Sequence, residues 1–191
     1  MGRVDELPFD APRSALQRAA DIRLVLFDVD GVLTDGSLFV DNAGEEYKAF
    51  HSRDGHGIKM LQRSGVEVGI ITGRTSRVVE HRCAELGVRH VCQGCADKLA
   101  AFEMLISRLG LESAQAAFAG DDVVDLPVLL RVGLAIAVRD AHPLVRKHAH
   151  WVTPSAGGRG AARELCELVM AAQGSYSAEM QRYLSGRGDT A

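Results

Sequence analysis

No stretch of this 191-residue chain reaches the ~20 consecutive apolar residues that a membrane-spanning helix needs. The amino end also lacks the short apolar core of a secretory signal, since Met1 to Ala20 alternates charges with single apolar residues. Positive charge is not in excess: 22 Lys and Arg face 25 Asp and Glu, for a formal net charge of −3. That balance excludes the broad basic footprint of a nucleic-acid binder. An anionic ligand would have to be met by a local positive site. Cysteine is scarce, with four residues in all. Cys83 and Cys166 stand singly in helical-looking segments and read as small buried apolar residues. Cys92 and Cys95 form a C-x-x-C, but no second pair completes a zinc site. All four read as reduced thiols, and the chain as a cytoplasmic protein that engages neither nucleic acid nor membrane.

What is present is a regular alternation. The chain is 47% apolar and of a length that suits one domain with a substantial core. Strands are predicted at 24–27, 66–71, 89–92, 116–119, 134–138 and 150–152. Helices are predicted at 57–64, 76–86, 98–109, 123–131, 143–147 and 161–172. Gly65, Gly87 and Gly110 mark three helix ends. The strands are nearly continuous apolar runs, so both faces of the sheet should be covered by helices. This rhythm predicts an α/β fold, a doubly wound, Rossmann-like and mostly parallel sheet. One segment breaks it: two β-prone runs within 37–50 flank Asp41-Asn42-Ala43-Gly44 and read as a β-hairpin inserted after the first strand. Residues 1–21 and 174–191 are polar and read as flexible ends around a domain at 22–173.

The chemistry concentrates where the apolar runs stop. Asp28 and Asp30, two positions apart after the first strand, point to one side, and Gly31 lets the chain bend at once. Two close carboxylates repel unless a cation or proton separates them. Singly, they could be solvated loop acids or helix caps. Three more clusters follow at strand ends, namely Thr72-Gly73-Arg74, Asp97-Lys98 and Asp121-Asp122-x-x-Asp125. In open α/β sheets, ligands sit beyond the carboxyl ends of the strands near the topological switch point. Together the clusters supply a carboxylate nucleophile, a second acid, phosphate donors and a site for a hard cation such as Mg²⁺.

In order, Asp28-Val29-Asp30-Gly31, Thr72, Lys98 and Gly120-Asp121-x-x-x-Asp125 resemble the four motifs of the haloacid dehalogenase superfamily of phosphatases. The resemblance extends to the 3-deoxy-D-manno-octulosonate 8-phosphate phosphatases of lipopolysaccharide biosynthesis. It does so through Asp28–Asp35, Lys48-Ala49-Phe50 with 53–58, 70–74, 120–127, 138–143 and Gly157-Gly158-Arg159-Gly160. It implies a Mg²⁺-dependent phosphatase for that phosphorylated sugar acid, working through an aspartyl-phosphate intermediate. By motif, Asp28 would be the nucleophile and Asp30 the general acid and base, while Thr72 and Lys98 would hold the phosphoryl group; Gly73 is a further candidate for binding substrate. Asp28, the Asp30 carbonyl and Asp121 would bind the metal, with Asp122 and Asp125 supporting them. Arg74 and Arg53 are the candidates for the sugar carboxylate, because guanidinium forks match carboxylates.

The segment between hairpin and second core strand is too short for a separate cap domain. Capless members of the resembled family form homotetramers in which a neighbour closes the site, which would make the hairpin an interface. Hydrolysis of a nine-carbon 2-keto-3-deoxy sugar acid 9-phosphate is a rival reading. A noncatalytic tetramerisation module is another, although that would predict lost motif acids and here all are present. A phosphosugar mutase would need the cap that is missing. None of the seven histidines has a spacing that demands a metal, and Trp151 reads as core.

Overall fold

The computed structural model of the chain describes residues 7–186. In chain order the elements are α1 (Arg13–Ala19), β1 (Leu24–Phe27), a hairpin of β2 (Phe39–Val40) and β3 (Glu46–Tyr47), α2 (Ser52–Arg63) and β4 (Glu67–Ile71). Then come α3 (Arg77–Leu86), β5 (His90–Cys92), α4 (Lys98–Leu109), β6 (Ala116–Gly120), α5 (Leu126–Leu129) and β7 (Leu134–Ala137). The chain closes with α6 (Pro143–His148), β8 (Trp151–Val152), α7 (Ala161–Ala172) and α8 (Tyr176–Leu184). Six strands form one sheet in the order β5-β4-β1-β6-β7-β8, every pairing parallel.

The order follows from the apolar runs. All residues of β1, β6 and β7 are buried, so these strands sit centrally with helices on both faces. From β1 the chain moves to β4 on one side and later returns to β6 on the other. That reversal opens a crevice beyond the carboxyl end of β1. Phe27 lies opposite both Ile70 and Ala119. The residues that follow, Asp28, Thr72 and Asp121, therefore emerge side by side.

Helix boundaries match local chemistry. Asp97 caps α4 by accepting the Ala100 N–H at 3.0 Å, and α4 ends at Gly110 with a left-handed φ of 64°. α2 begins at Ser52, five residues before the predicted start. Gly55 and Gly57 lower helix propensity, and tertiary packing outweighs it: a β-carbon at Gly57 would lie 3.0 Å from the Arg163 backbone on α7. Buried Asp54 accepts the Gly160 and Arg163 N–H groups at 3.2 and 2.8 Å, tying α2 to the start of α7. The helix predicted at 123–131 divides into a 3₁₀ turn, Val123–Asp125, and the short α5.

Each of the two segments expected to be flexible ends carries a helix. α1 buries Ala15 and Ala19, and ahead of it Phe9 stacks on Trp151 at 5.5 Å between ring centroids. α8 buries Tyr176 and anchors through an Arg63–Glu179 ion pair. With so few apolar anchors, neither segment shows helical periodicity in the sequence. Residues 1–6 and 187–191 of the expected extensions lie outside the described residues. Trp151 is core, as expected. The hairpin is shorter than predicted, pairing Phe39 with Tyr47 and Val40 with Glu46 in a sheet of its own. Phe50 leaves it and packs against the core with the Arg82 guanidinium 5.8 Å above its ring.

Candidate active site

Beyond β1, β4 and β6 lies a cavity of about 390 Å³ lined by residues from all the predicted clusters, including Asp28, Thr72, Gly73, Lys98 and Asp122. Its centre is a buried charge cluster. Lys98, on the first turn of α4, donates to Asp28 Oδ2 at 3.0 Å and to Asp125 Oδ1 at 2.7 Å. Asp125 is fully buried, and its Oδ2 accepts the Asp121 and Asp122 N–H groups at 3.0 and 3.3 Å. It fixes both the lysine and the loop that carries Asp121. Asp122 caps the 3₁₀ turn by accepting the Val123 N–H at 2.8 Å. Backbone bonds complete the floor: Asp28 N–H donates to Ala119 at 3.0 Å, and Thr72 N–H to Cys92 at 2.9 Å.

The electrostatics follow from the crowding. Burial, then the Asp125 charge, pushes the Asp28 carboxyl up to about 6 against the pull of Lys98. Burial followed by Asp125, Asp28 and Asp122 pushes Asp121 up to about 7. Burial drives Lys98 down, yet Asp28 and Asp125 outweigh it and hold its ammonium above the ordinary value. This cluster carries more negative than positive charge.

Oxygen ligands of Asp28, Asp121 and Asp125 lie within 4.8 Å of one another. Asp28 Oδ1 and Asp121 Oδ1 are buried without a hydrogen-bond partner, whereas both Asp125 oxygens are already engaged. Two orphaned carboxylate oxygens, with no nitrogen or sulfur donor in the cluster, fit a hard divalent cation such as Mg²⁺. Asp28 and Asp121 could supply the ligating oxygens, with Asp125 holding them in place.

Gly31 belongs to the same construction. Its φ is 95°, and a β-carbon there would fall 2.2 Å from Asp121 Oδ2, so only glycine lets the first acidic loop lie against Asp121. Buried Thr34 ties that loop together: its hydroxyl donates to the Val29 carbonyl and accepts the Gly36 N–H. A larger cleft, about 1140 Å³, lies at the opposite ends of the strands. There Arg18 is bonded to the Gly133 carbonyl and Gln173 to those of Ala19 and Ile22, and among the described residues the cleft's lining brings only Asp21 and Glu112 as acids.

The haloacid dehalogenase-like hydrolase family matches residues 90–165. The 3-deoxy-D-manno-octulosonate 8-phosphate phosphatase KdsC of Yersinia pestis is 51% identical over 158 residues, 83% of this chain and 84% of that protein. A probable YrbI family phosphatase structure from Pseudomonas syringae pv. phaseolica superposes with a TM-score of 0.90 at 49% identity, covering 91% of this chain and 98% of that one. The Moraxella catarrhalis 3-deoxy-D-manno-octulosonate 8-phosphate phosphatase, solved with magnesium, phosphate and the free sugar acid, superposes at 0.89 with 39% identity, covering 91% and 99%. This chain belongs to the 3-deoxy-D-manno-octulosonate 8-phosphate phosphatase family.

For a member of this family, the predicted residues divide clearly. Asp28, Asp30, Thr72, Gly73, Arg74, Lys98, Asp121 and Asp122 all line the cavity, and Asp125 stands behind Lys98. Arg53 does not join them; it is exposed on the first turn of α2, and its guanidinium lies 4.0 Å from where a Gly160 β-carbon would be. Arg74 is already engaged, its Nη2 at 3.0 Å from Glu46 and its Nε at 3.6 Å from Asp30. The four cysteines are unpaired. Cys95 lines the cavity, and its N–H donates to the Thr72 carbonyl at 3.0 Å. Glu46 and Lys48, which no pattern in the sequence marks as part of the site, pair with Arg74 and Asp30 at the cavity wall; the resembling stretch Lys48-Ala49-Phe50 is the one signal that points to them.

Proposed function

We propose that the chain is a phosphatase that hydrolyses 3-deoxy-D-manno-octulosonate 8-phosphate to the free sugar acid and phosphate with Mg²⁺. The observation that carries this reading is the buried Asp28–Lys98–Asp125 chain beside the orphaned oxygens of Asp28 and Asp121. It stands in a chain that is 51% identical to a phosphatase of that name. Asp28 attacks phosphorus through its carboxylate, while Lys98, bonded to it and to Asp125, spreads positive charge towards the phosphoryl oxygens. Thr72 and the backbone at Gly73 complete the phosphoryl seat. Asp30 protonates the departing sugar oxygen, then takes the proton from the water that cleaves the aspartyl phosphate. Asp28, Asp121 and the Asp30 main-chain carbonyl would hold Mg²⁺, which when bound neutralises charge on the transferring group. Arg74, half exposed at the rim, receives an anionic group of the sugar acid.

The enzyme works in the cytoplasm, in keeping with its four unpaired thiols. It assembles as a homotetramer whose neighbours close the open site; the exposed apolar hairpin supports this. A panel of phosphorylated sugars and sugar acids, assayed with Mg²⁺, tests the substrate. The eight-carbon 8-phosphate should be turned over best. Preference for the nine-carbon 9-phosphate would reassign the substrate, and a flat profile would leave only general phosphatase chemistry.

A further inference from the structure

Four charges from three separate segments close into a ring beside the cavity. Lys48, just past β3, pairs with Asp30 Oδ1 and lies 3.0 Å from Glu46 Oε1. Glu46 also holds Arg74 Nη2 at 3.0 Å, and Arg74 Nε returns to Asp30 Oδ2 at 3.6 Å. Asp30 follows β1, Arg74 follows β4, and the other two come from the hairpin. The Lys48 side chain is 1% exposed. Asp30 and Arg74 line the cavity, while neither Lys48 nor Glu46 does. These two can reach a substrate only through their partners.

Resting on the phosphatase reading above, we propose that the hairpin residues Lys48 and Glu46 are positioning residues, Lys48 fixing Asp30 and Glu46 fixing Arg74. Burying an ammonium between two carboxylates gives little net stability, because desolvation offsets most of the attraction. What it does supply is orientation. A general acid works only within hydrogen-bond reach of the departing oxygen, and small displacements cost rate steeply. An unpinned Asp30 side chain would sample several rotamers. Lys48 occupies one oxygen from behind, which leaves the carboxylate directed by a buried contact rather than by solvent. Glu46 takes one edge of the half-exposed Arg74 fork and sets the angle at which the rest meets the sugar acid. The hairpin then completes each chain's own site.

The test compares two esters in the assembled Mg²⁺-loaded protein: an alkyl phosphate, whose leaving oxygen needs a proton, and p-nitrophenyl phosphate, whose leaving group does not. Lys48→Met should lower kcat on the alkyl ester about 100-fold, the scale of a lost general acid, and on the aryl ester only roughly threefold. Lys48→Arg should restore most of the alkyl activity. Glu46→Gln should raise KM for the sugar acid phosphate about tenfold with a smaller change in kcat. Equal losses on both esters by a folded variant, no loss at all, or no rescue by arginine would overturn the assignment and leave the ring as a structural clasp. Should Lys48→Met fail to fold, as judged by thermal melting, Lys48→Gln takes its place with the same expectations. If the parent hydrolyses hexose 6-phosphates but not the sugar acid phosphate, the substrate reading fails. The alkyl–aryl comparison on hexose 6-phosphate then still decides the role of Lys48.

Discussion

Asp28 and Asp121 are held near 6 and 7 in the fold, against 3.8 for an unperturbed aspartate. Between about pH 4 and pH 7 these two groups therefore bind more protons in the folded chain than in the unfolded one. The sign follows from linkage: stability is fully present below the unfolded values and falls as pH rises through the folded ones. If these two carboxylates hold Mg²⁺, as proposed, both must be deprotonated to do so, and its affinity should rise across the same window with release of protons. Melting curves with and without Mg²⁺ check this, the expected increase being larger at pH 8 than at pH 5. An equal increase at both would show that the orphaned oxygens are not the ligands. Asp28→Asn separates the chemistry from the electrostatics. It removes the proposed nucleophile at nearly constant volume and should abolish turnover, by at least about 10³-fold. The metal-free variant should also lose less stability between pH 4 and pH 8 than the parent, because one of the two crowded carboxylates is gone.

At the scale of elements, the site depends on how closely loops approach one another. A β-carbon on Gly157 would sit 1.7 Å from the Gly31 carbonyl, and one on Gly31 would sit 2.2 Å from Asp121 Oδ2. The loop before α7 thus backs the loop after β1, which in turn backs the loop after β6. Gly157→Ala must push this stack apart. It should cost about 1–3 kcal/mol, as overpacking generally does, and lower kcat more than it raises KM, since the displaced group is Gly31 between the two acidic loops. A thermal shift with unchanged kcat would show the stack to be structural alone. The sheet and the carboxyl-end acids were legible because apolar runs end abruptly in polar residues of fixed chemistry. Asp28, Thr72, Lys98 and Asp121 each follow or open an element with a strong local signal. Arg53 lies apart from the cavity of its own chain, and its chemistry alone does not say which side of α2 it occupies. Lys48 and Glu46 were hidden for a different reason. Their roles arise from pairing across 18 and 28 residues with Asp30 and Arg74, and no periodicity encodes that. α1 and α8 escaped notice because their anchors are a few alanines, one tyrosine and an ion pair.

For the molecule as a whole, the open question is what covers the hairpin. Leu38, Phe39, Val40 and Tyr47 are 52–62% exposed, gathered on a ribbon with only two residues per strand. Such a ribbon is marginal alone, and within its own chain Glu46 and Lys48 tie it to Arg74 and Asp30. Several large apolar side chains exposed together mark a contact surface. A closed symmetric assembly can cover all copies at once. It would also enclose the cavity, which one chain leaves open and without a cap. Leu38→Glu with Val40→Glu places charges on the exposed ribbon without touching Glu46, Lys48 or the acids. The double variant should sediment as smaller species than the parent. Its activity on the sugar acid phosphate should fall more than its activity on an aryl phosphate, because the groups that transfer the phosphoryl remain in each chain while the enclosing wall is lost. A parent that sediments as a fully active monomer at assay concentration would rule this out. The hairpin would then act only through Asp30 and Arg74.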